Sequence, residues 1–251
     1  MEQCYNIFIM NFKNLFSKKD KKDISSTTDN ISAAPLTLNT LESIIHKRVD
    51  TADKELEKGY NLIKKYPRSV SILGSARFTQ DSIYYKHAQS LSARIARDLK
   101  YAVVTGGGPG IMEAANRGSF EAGGVSLGFT IILPQEQKDN PYLTDHVDFE
   151  YFFTRKTLLF FSAETYIYYP GGFGTFDELF EILTLIQTKK IPSTPVILVG
   201  REFWKPLLEL IDNKLYRETY TINLEDQNIY KIVDSEDEII EIIKNAPFRQ
   251  E

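Results

Sequence analysis

The chain has 251 residues, 42% hydrophobic and 25% charged, a composition typical of a soluble globular protein that excludes a fibrous or wholly disordered chain. Its formal net charge of −4 gives no general electrostatic reason to bind nucleic acid or a membrane surface, so any bound anion must be held by local groups. Because Cys4 is the only cysteine, neither a disulfide framework nor a cysteine metal site is predicted, and a reducing, cytoplasmic location is expected.

The first 36 residues differ in composition from the rest of the chain. A short apolar and aromatic run is followed by a Lys/Asp cluster and then by a stretch rich in Ser, Thr, Asn and Ala. The apolar run is too short to span a bilayer, and the basic residues follow it, whereas in a signal peptide they come first. We therefore expect residues 1–36 to be a mobile tail, with a weak membrane-surface role as the alternative.

Residues 37–67 are predicted to form an amphipathic helix, because apolar residues recur at helical spacing before Pro67. In residues 68–251, short apolar runs alternate with helical patterns. The predicted strands are 69–74, 102–106, 125–133, 149–153, 165–171 and 195–200. The predicted helices are 81–99, 109–122, 154–163, 175–189 and 203–213. This alternation predicts an α/β fold with a doubly wound, Rossmann-like parallel sheet and helices on both faces. In such sheets, ligands bind outside the carboxyl ends of the strands.

Two glycine-rich turns each lie between a predicted strand and a predicted helix. GGGPG spans Gly106–Gly110, where Pro109 is expected to begin the helix, and PGGFG spans Pro170–Gly174. Such a turn can hold a phosphate, because free backbone N–H groups and the helix dipole point at it and glycine lets it approach. Neither turn matches the dinucleotide fingerprint or the Walker loop. For one turn alone, a tight connection that serves only packing is an equal alternative.

Thr175 and Glu178 allow two interpretations. In the first they form a capping box, with Thr175 at the N-cap and Glu178 at the third helical position, and Glu178 is structural. In the second, the hydroxyl and N–H of Thr175 bind a phosphate, and the Glu178 carboxylate, one turn further on, faces a sugar attached to that phosphate. The sequence permits both.

Other chemistries lack the residues they need. His46, His87 and His146 have no carboxylate or cysteine at ligand spacing, so no metal site is predicted. Ser75 follows a strand, but the chain lacks the G-x-S-x-G motif of serine hydrolases. No lysine lies in a setting recognisable as a pyridoxal-phosphate site, so no cofactor is predicted.

The stretches GGGPGIMEAANRG and FFTRKTLLFFSAETYIYYPGGFGTFDE resemble the Lonely Guy family, long labelled lysine decarboxylase-like. That family has a GGGxxGxM turn, a PGGxGTxxE motif and an Arg-Lys pair at a fixed distance before the second motif. In this chain they are Gly106–Met112, Pro170–Glu178 and Arg155-Lys156, and the resemblance runs from about Ser69 to Gly200.

The resemblance implies hydrolysis of the N-glycosidic bond of a nucleoside 5′-monophosphate, such as AMP or a cytokinin riboside 5′-monophosphate, to free base and ribose 5-phosphate. Glu178 would stabilise positive charge on the ribose and orient water, and Arg155 would orient the ribose phosphate or assist the departing base. The residues expected to hold the 5′-phosphate are Gly171, Gly172, Gly174 and Thr175. The other residues expected in the pocket are Gly74, Ser75, Gly107, Gly108, Met112, Glu136, Lys156 and Thr184. For Lys156 the alternative is a solvated helix face, and for Thr184 an inert helix surface.

The resemblance also implies a homodimer with the pocket near the subunit contact. The aromatic residues expected to contribute to that contact are Phe152, Phe153, Phe160, Phe161, Tyr166 and Tyr168. The alternative function is a non-catalytic carrier of a nucleotide or of the molybdenum cofactor, because this fold and its glycine turns also occur in such proteins. A carrier would need the glycines but not a carboxylate that faces the sugar.

Overall fold

The computed structural model describes residues 37–133 and 139–248. The predicted tail, residues 1–36, and Glu136 therefore lie outside the described residues. The chain divides into two units, Met1–Glu42 and Ser43–Glu251, and residues 37–42 are the described part of the first.

The described residues contain seven strands, which alternate with helices along most of the chain. The strands are β1 (Ser69–Leu73), β2 (Ala102–Thr105), β3 (Ser126–Ile131), β4 (Asp145–Phe149), β5 (Tyr166–Tyr168), β6 (Val196–Leu198) and β7 (Tyr230–Ile232). The α-helices are α1 (Leu38–Lys65), α2 (Ile83–Arg94), α3 (Ile111–Glu121), α4 (Phe152–Phe161), α5 (Phe173–Gln187), α6 (Arg201–Leu210) and α7 (Glu236–Lys244). Two π-helical segments, Ile95–Leu99 and Ile211–Glu218, extend α2 and α6, and a 3₁₀-helix, Leu224–Asn228, precedes β7.

The strands form one sheet in the order β4-β3-β2-β1-β5-β6-β7. All six neighbouring pairs are parallel. The chain proceeds from β1 outward to β4 and then returns to the other side of β1 with β5, so the strand order reverses between β1 and β5. The predicted doubly wound, parallel α/β fold is confirmed, and its switch point, where ligands bind in such folds, lies at β1 and β5.

Successive residues of a strand belong alternately to two hydrophobic cores, one on each face of the sheet. In β2, Val103 belongs to one core, while Ala102 and Val104 belong to the other. Helices α2, α3 and α7 contribute to the core that contains Val103, and α1, α4, α5 and α6 contribute to the opposite core. The strands are therefore covered on both faces, which explains why they read as continuous apolar runs.

Two sequence-based boundaries are wrong, and two elements near the end of the chain were not predicted. Pro109 does not begin α3, because Gly110 is the N-cap and the helix starts at Ile111. The strand predicted at 149–153 is instead β4, which ends at Phe149, and α4 follows at Phe152. β4 is an edge strand whose exposed positions are polar, so its sequence resembles a loop. The sequence also predicts no element after residue 213, where the structure contains β7 and α7.

Three of the six aromatic side chains expected at a subunit contact are buried inside the chain's own core. They are Phe160, Tyr166 and Tyr168, each at most 5% exposed. Phe152 and Phe153, at the start of α4, are more than half exposed. Among the described helices, none combines the length and the apolar character that a membrane crossing requires.

A substitution at Gly110 can test how closely the loops at the switch point are packed. Its φ is +71°, and a Cβ at this position would lie 2.3 Å from the Ser75 carbonyl oxygen. We expect Gly110→Ala to lower the free energy of unfolding by about 3 kcal/mol, because it adds a backbone overlap to an unfavourable φ. Gly123→Ala is the matched control, since Gly123 has φ +73° and open space around its Cβ position. The control is expected to cost about 1 kcal/mol. If urea unfolding showed the same loss of unfolding free energy for Gly110→Ala and Gly123→Ala, the result would contradict the predicted overlap at Gly110.

Candidate active site

A cleft of about 840 Å³ lies at the carboxyl edge of the sheet. It is lined by residues that follow four strands: Ser75 after β1, Gly106 after β2, Leu133 after β3 and Pro170 after β5. The cleft therefore spans the switch point and is lined by Gly106 of the first glycine turn and by the second turn. A smaller cavity of about 280 Å³, lined mainly by apolar and aromatic side chains, contains none of the predicted site residues.

The loop after β1 joins the two glycine turns. The N–H of Ser75 donates to the Pro170 carbonyl at 3.0 Å, and the Ser75 carbonyl accepts from the N–H of Ile111, also at 3.0 Å. A Cβ at Gly74 would lie 2.9 Å from side-chain atoms of Ile111 and Tyr169, so only glycine leaves this contact undisturbed. The three loops therefore form one continuous wall of the cleft.

Gly107 and Gly108 lie behind this wall. Both are buried, and neither lines the cleft. Their carbonyls accept hydrogen bonds from the Asn140 side-chain amide, at 3.0 Å and 3.1 Å. The structure therefore places Gly106, rather than these two predicted contacts, on the cleft surface.

The sequence analysis did not identify Asn140, whose side-chain amide binds the first glycine turn. Its amide also donates to Asn116 Oδ1 at 2.9 Å, and that oxygen accepts from Thr105 Oγ1 at 2.6 Å. The hydroxyl of Thr105 in turn accepts from the N–H of Gly107 at 2.9 Å. Buried polar groups connected in this way fix one geometry. The sequence signal for Asn140 was only an Asn-Pro pair, which is typical of any turn.

Arg155 reaches the cleft from α4. Its Nε donates to the Phe129 carbonyl at 2.7 Å, and the residue is only 8% exposed. A Cβ at Gly106 would lie 2.2 Å from Arg155 Nη2 and 2.8 Å from Met112 Sδ. Gly106 therefore leaves the space that the guanidinium group occupies.

Glu178 faces Arg155 across the cleft. Its Oε1 lies 3.4 Å from Arg155 Nη1, and the two side chains are 14% and 9% exposed. Burial raises the pKa of the Glu178 carboxyl above its ordinary value of 4.5, and the opposing attraction of Arg155 does not cancel this effect. The pair combines a fixed positive charge with a carboxylate that accepts a proton more readily than an exposed glutamate.

The capping-box interpretation of Thr175 and Glu178 is wrong. α5 begins at Phe173 with Gly172 as its N-cap, and no side chain caps the helix. Thr175 is therefore the third helical residue, and Glu178 lies in the second turn, too far along to bond the N-cap. Thr175 instead packs over Gly171, where a Cβ would lie 2.1 Å from Thr175 Oγ1. The glycines before the helix let it start two residues earlier than the sequence indicated.

The N-terminus of α5 opens into the cleft. The first N–H groups of a helix have no partner inside it, and together with the dipole they attract an anion. Gly172 and Gly174 line the cleft here, and a Cβ at either position would meet no atom within 4 Å. Packing among the described residues does not require these two glycines, whereas the close approach of a ligand would.

The remaining predicted site residues fall into two groups. Those that line the cleft are Gly74, Ser75, Met112, Arg155, Gly171, Gly172, Gly174, Thr175 and Glu178. Lys156 and Thr184 do not. Lys156 Nζ lies 3.1 Å from Asp177 Oδ2 and 2.5 Å from Glu181 Oε2, so it joins α4 to α5. Thr184 is exposed and donates its hydroxyl to the Phe180 carbonyl. Arg77, which the sequence analysis did not single out, also lines the cleft.

The sequence analysis assigned His146 no carboxylate within reach, and that premise is wrong. Residues two apart on a strand share a face, and His146 Nε2 lies 3.9 Å from Asp148 Oδ1. Ligand atoms of Asp139, His146 and Asp148 all lie within 4.8 Å of one another, and all three residues are exposed. Exposed acidic groups commonly gather in this way without an ion.

Comparison with known proteins adds sequence and structural relatives. The family model described as possible lysine decarboxylase matches residues 112–243, more than half of the chain. The chain is 27% identical over 152 residues to a cytokinin riboside 5′-monophosphate phosphoribohydrolase from Rhodococcoides fascians, covering 59% of this chain and 75% of that protein.

Two solved structures share the fold. The X-ray structure of TM1055 is 27% identical with a TM-score of 0.52, over 70% of this chain and 98% of that one. The molybdenum cofactor binding protein from Rippkaea orientalis is 23% identical with a TM-score of 0.51, over 70% of this chain and 93% of that one. At that identity, the second structure shows the fold alone.

Arg155 opposes the effect of burial on the pKa of Glu178, and this can be measured. We expect the Glu178 pKa to lie above 4.5 in the wild-type protein and to rise further in Arg155→Gln, which removes the attraction that favours the carboxylate. The measurement is ¹³C NMR titration of protein labelled at glutamate carboxyls, with the signal assigned by Glu178→Gln. A wild-type pKa of 4.5 or below, or a lower pKa in Arg155→Gln, would show that the pair does not interact as described.

Proposed function

We propose that this chain, which belongs to the Lonely Guy family whose model is described as possible lysine decarboxylase, hydrolyses the N-glycosidic bond of a nucleoside 5′-monophosphate. The products are free base and ribose 5-phosphate, and AMP or a cytokinin riboside 5′-monophosphate is the substrate. The observation that carries the proposal is the position of the Arg155–Glu178 pair, one turn beyond a glycine-lined helix N-terminus in the same cleft.

The 5′-phosphate binds at the N-terminus of α5 in this proposal. The free N–H groups of the first turn and the hydroxyl of Thr175 supply donors, and the helix dipole favours the negative charge. The open space at Gly172 and Gly174 lets the phosphate oxygens approach the backbone. A substrate anchored there places its ribose over the second turn of α5, where Glu178 lies.

The chemistry follows from this placement. As the C1′–N bond breaks, its electron pair leaves with the base, and positive charge develops on the ribose. The Glu178 carboxylate stabilises that charge and accepts a proton from the attacking water, whose oxygen forms the new bond to C1′. The departing base takes up one proton from solvent, and Glu178 afterwards returns its proton to solvent. The raised pKa of Glu178 suits this proton transfer, because a general base works best when its pKa lies near the working pH. Arg155 orients the carboxylate and presents its other N–H groups to the substrate.

The catalytic role of Glu178 is tested by base release. We expect Glu178→Gln to bind AMP within a few-fold of wild type but to release adenine about 10²- to 10⁴-fold more slowly, because the variant cannot accept the proton. Free base is measured by chromatography and AMP affinity by calorimetry. Asp177→Asn is the matched control, since Asp177 is the neighbouring carboxylate, is 60% exposed and pairs with Lys156. It should retain most of the activity.

Two further results bear on this assignment. Adenosine, which lacks the phosphate, should be a poor substrate if the N-terminus of α5 anchors the nucleotide. Adenine release by Glu178→Gln at the wild-type rate would refute the catalytic role. A wild-type protein that binds AMP but releases no base from a panel of nucleoside 5′-monophosphates would instead favour the alternative, a non-catalytic carrier.

We also propose that the protein acts in the cytosol as a homodimer without nucleic-acid or membrane partners. The single cysteine is consistent with a reducing compartment. An apolar groove of about 510 Å³ is lined by side chains that include Ile45 and Val49 of α1 and Phe153 of α4. These three are 50%, 64% and 52% exposed, and contiguous exposed apolar groups are typical of protein contacts.

The dimer is tested by light scattering at micromolar concentration. We expect a dimeric mass for the wild type and a shift toward the monomer in Val49→Glu, because the charge would be buried at the contact. Asn61→Glu introduces the same charge at another exposed position of α1 and should leave the mass unchanged. A monomeric wild type would count against the dimer.

A further inference from the structure

Glu55 is a buried carboxylate on α1 outside the site described above. It is 6% exposed, and α1 precedes residues 112–243, which the family model matches. A buried carboxylate is strongly unfavourable unless its oxygens are hydrogen-bonded. Both Glu55 oxygens bond to the start of α4: Oε1 accepts from the N–H of Glu150 at 2.6 Å, and Oε2 accepts from the hydroxyl of Thr154.

The start of α4 has no side-chain cap of its own. Tyr151 is the N-cap residue and makes no side-chain capping bond. A helix N-terminus is stabilised by an oxygen acceptor and by negative charge, which an N-cap Asp or Ser usually provides. Glu55 brings negative charge to this end of α4 from a different helix, and its two oxygens bind the residue before Tyr151 and the hydroxyl of Thr154.

The packing of α1 against α4 leaves little freedom for this contact to move. Gly59 lies one turn after Glu55 and is buried with it. A Cβ at Gly59 would lie 2.2 Å from Leu158 Cδ1, so the two helices approach as closely as a glycine permits. Glu55 is therefore held at a fixed position relative to the first turn of α4.

Arg155 follows Thr154 directly in that turn. Its Nη1 lies 3.4 Å from Glu178 Oε1, near the outer limit of a hydrogen bond, so a small displacement of the turn would separate the pair. We propose that Glu55 is a positioning residue, which fixes the first turn of α4 so that the Arg155 guanidinium reaches Glu178. The kinetic consequence rests on the proposed function, but the positioning itself does not.

The first test therefore measures the Arg155–Glu178 contact without using activity. In Glu55→Ala, Arg155 moves away, and the Glu178 pKa measured by ¹³C NMR should rise, as it should in Arg155→Gln. Glu57→Ala is the matched control, because Glu57 is an exposed carboxylate on the same helix, and it should cause no shift. In an Arg155→Gln background, Glu55→Ala should add nothing, since the attraction is already gone. An unshifted Glu178 pKa in folded Glu55→Ala would overturn the proposal.

Two other variants separate positioning from general stability. Glu55→Gln keeps an amide oxygen for the N–H of Glu150 and an amide donor for Thr154 Oγ1, so it should restore most of the wild-type pKa of Glu178. If Glu55→Ala does not fold, Thr154→Val removes one of the same bonds from the α4 side and should raise the Glu178 pKa. No shift in Thr154→Val, or none of the expected rescue in Glu55→Gln, would contradict positioning through these bonds.

The second test is kinetic. With AMP as substrate, Glu55→Ala should lower kcat about 10- to 100-fold, as expected for a catalytic group misplaced by about 1 Å, with KM changed less than threefold. Glu57→Ala should retain the wild-type kcat. A shifted Glu178 pKa in a wild-type background that releases no base would support the positioning role and refute the proposed function. An unshifted pKa with normal base release would refute only the positioning role.

Discussion

The two backbone hydrogen bonds of Ser75 are the constraint on which the candidate site depends. One reaches Pro170, at the start of the second glycine turn, and the other reaches Ile111, the first residue of α3 after the first turn. Because β1 lies between β2 and β5 in the sheet, the loop after β1 lies between the two glycine turns and touches both. The turns act as one cleft because this loop joins them.

The glycines of the site serve two separable purposes, although their sequence patterns look alike. At Gly74 and Gly110 a side chain would overlap a neighbouring loop, and at Gly106 it would overlap the Arg155 guanidinium, so these residues make the chain's own contacts possible. At Gly172 and Gly174 nothing within the described residues fills the space. The first group shapes the cleft, whereas the second leaves room for what binds in it. Counting glycines in a motif does not reveal this division.

The fold and the place of the site could be predicted from the sequence because both depend on local patterns. Alternation of apolar runs with helical periods indicated the parallel sheet, and the glycine turns marked its carboxyl edge. The role of Glu178 could not be resolved, because it depended on whether α5 begins at Phe173 or Thr175. Asn140 and Glu55 were missed for a different reason: their partners lie 24 to 99 residues away, and no local pattern records such bonds.

Arg155 connects the energetics of the fold to the chemistry of the site. A guanidinium group has five N–H donors, and the described residues provide acceptors for two of them, the Phe129 carbonyl and Glu178. A nearly buried cation with unused donors is unfavourable for folding unless solvent or a ligand supplies the missing acceptors. The negative charge of Glu178 offsets part of that cost. Burial, however, raises the pKa of Glu178 and so disfavours the charged form that Arg155 attracts. The contacts of α4 with α1 and β3 therefore hold the pair in place.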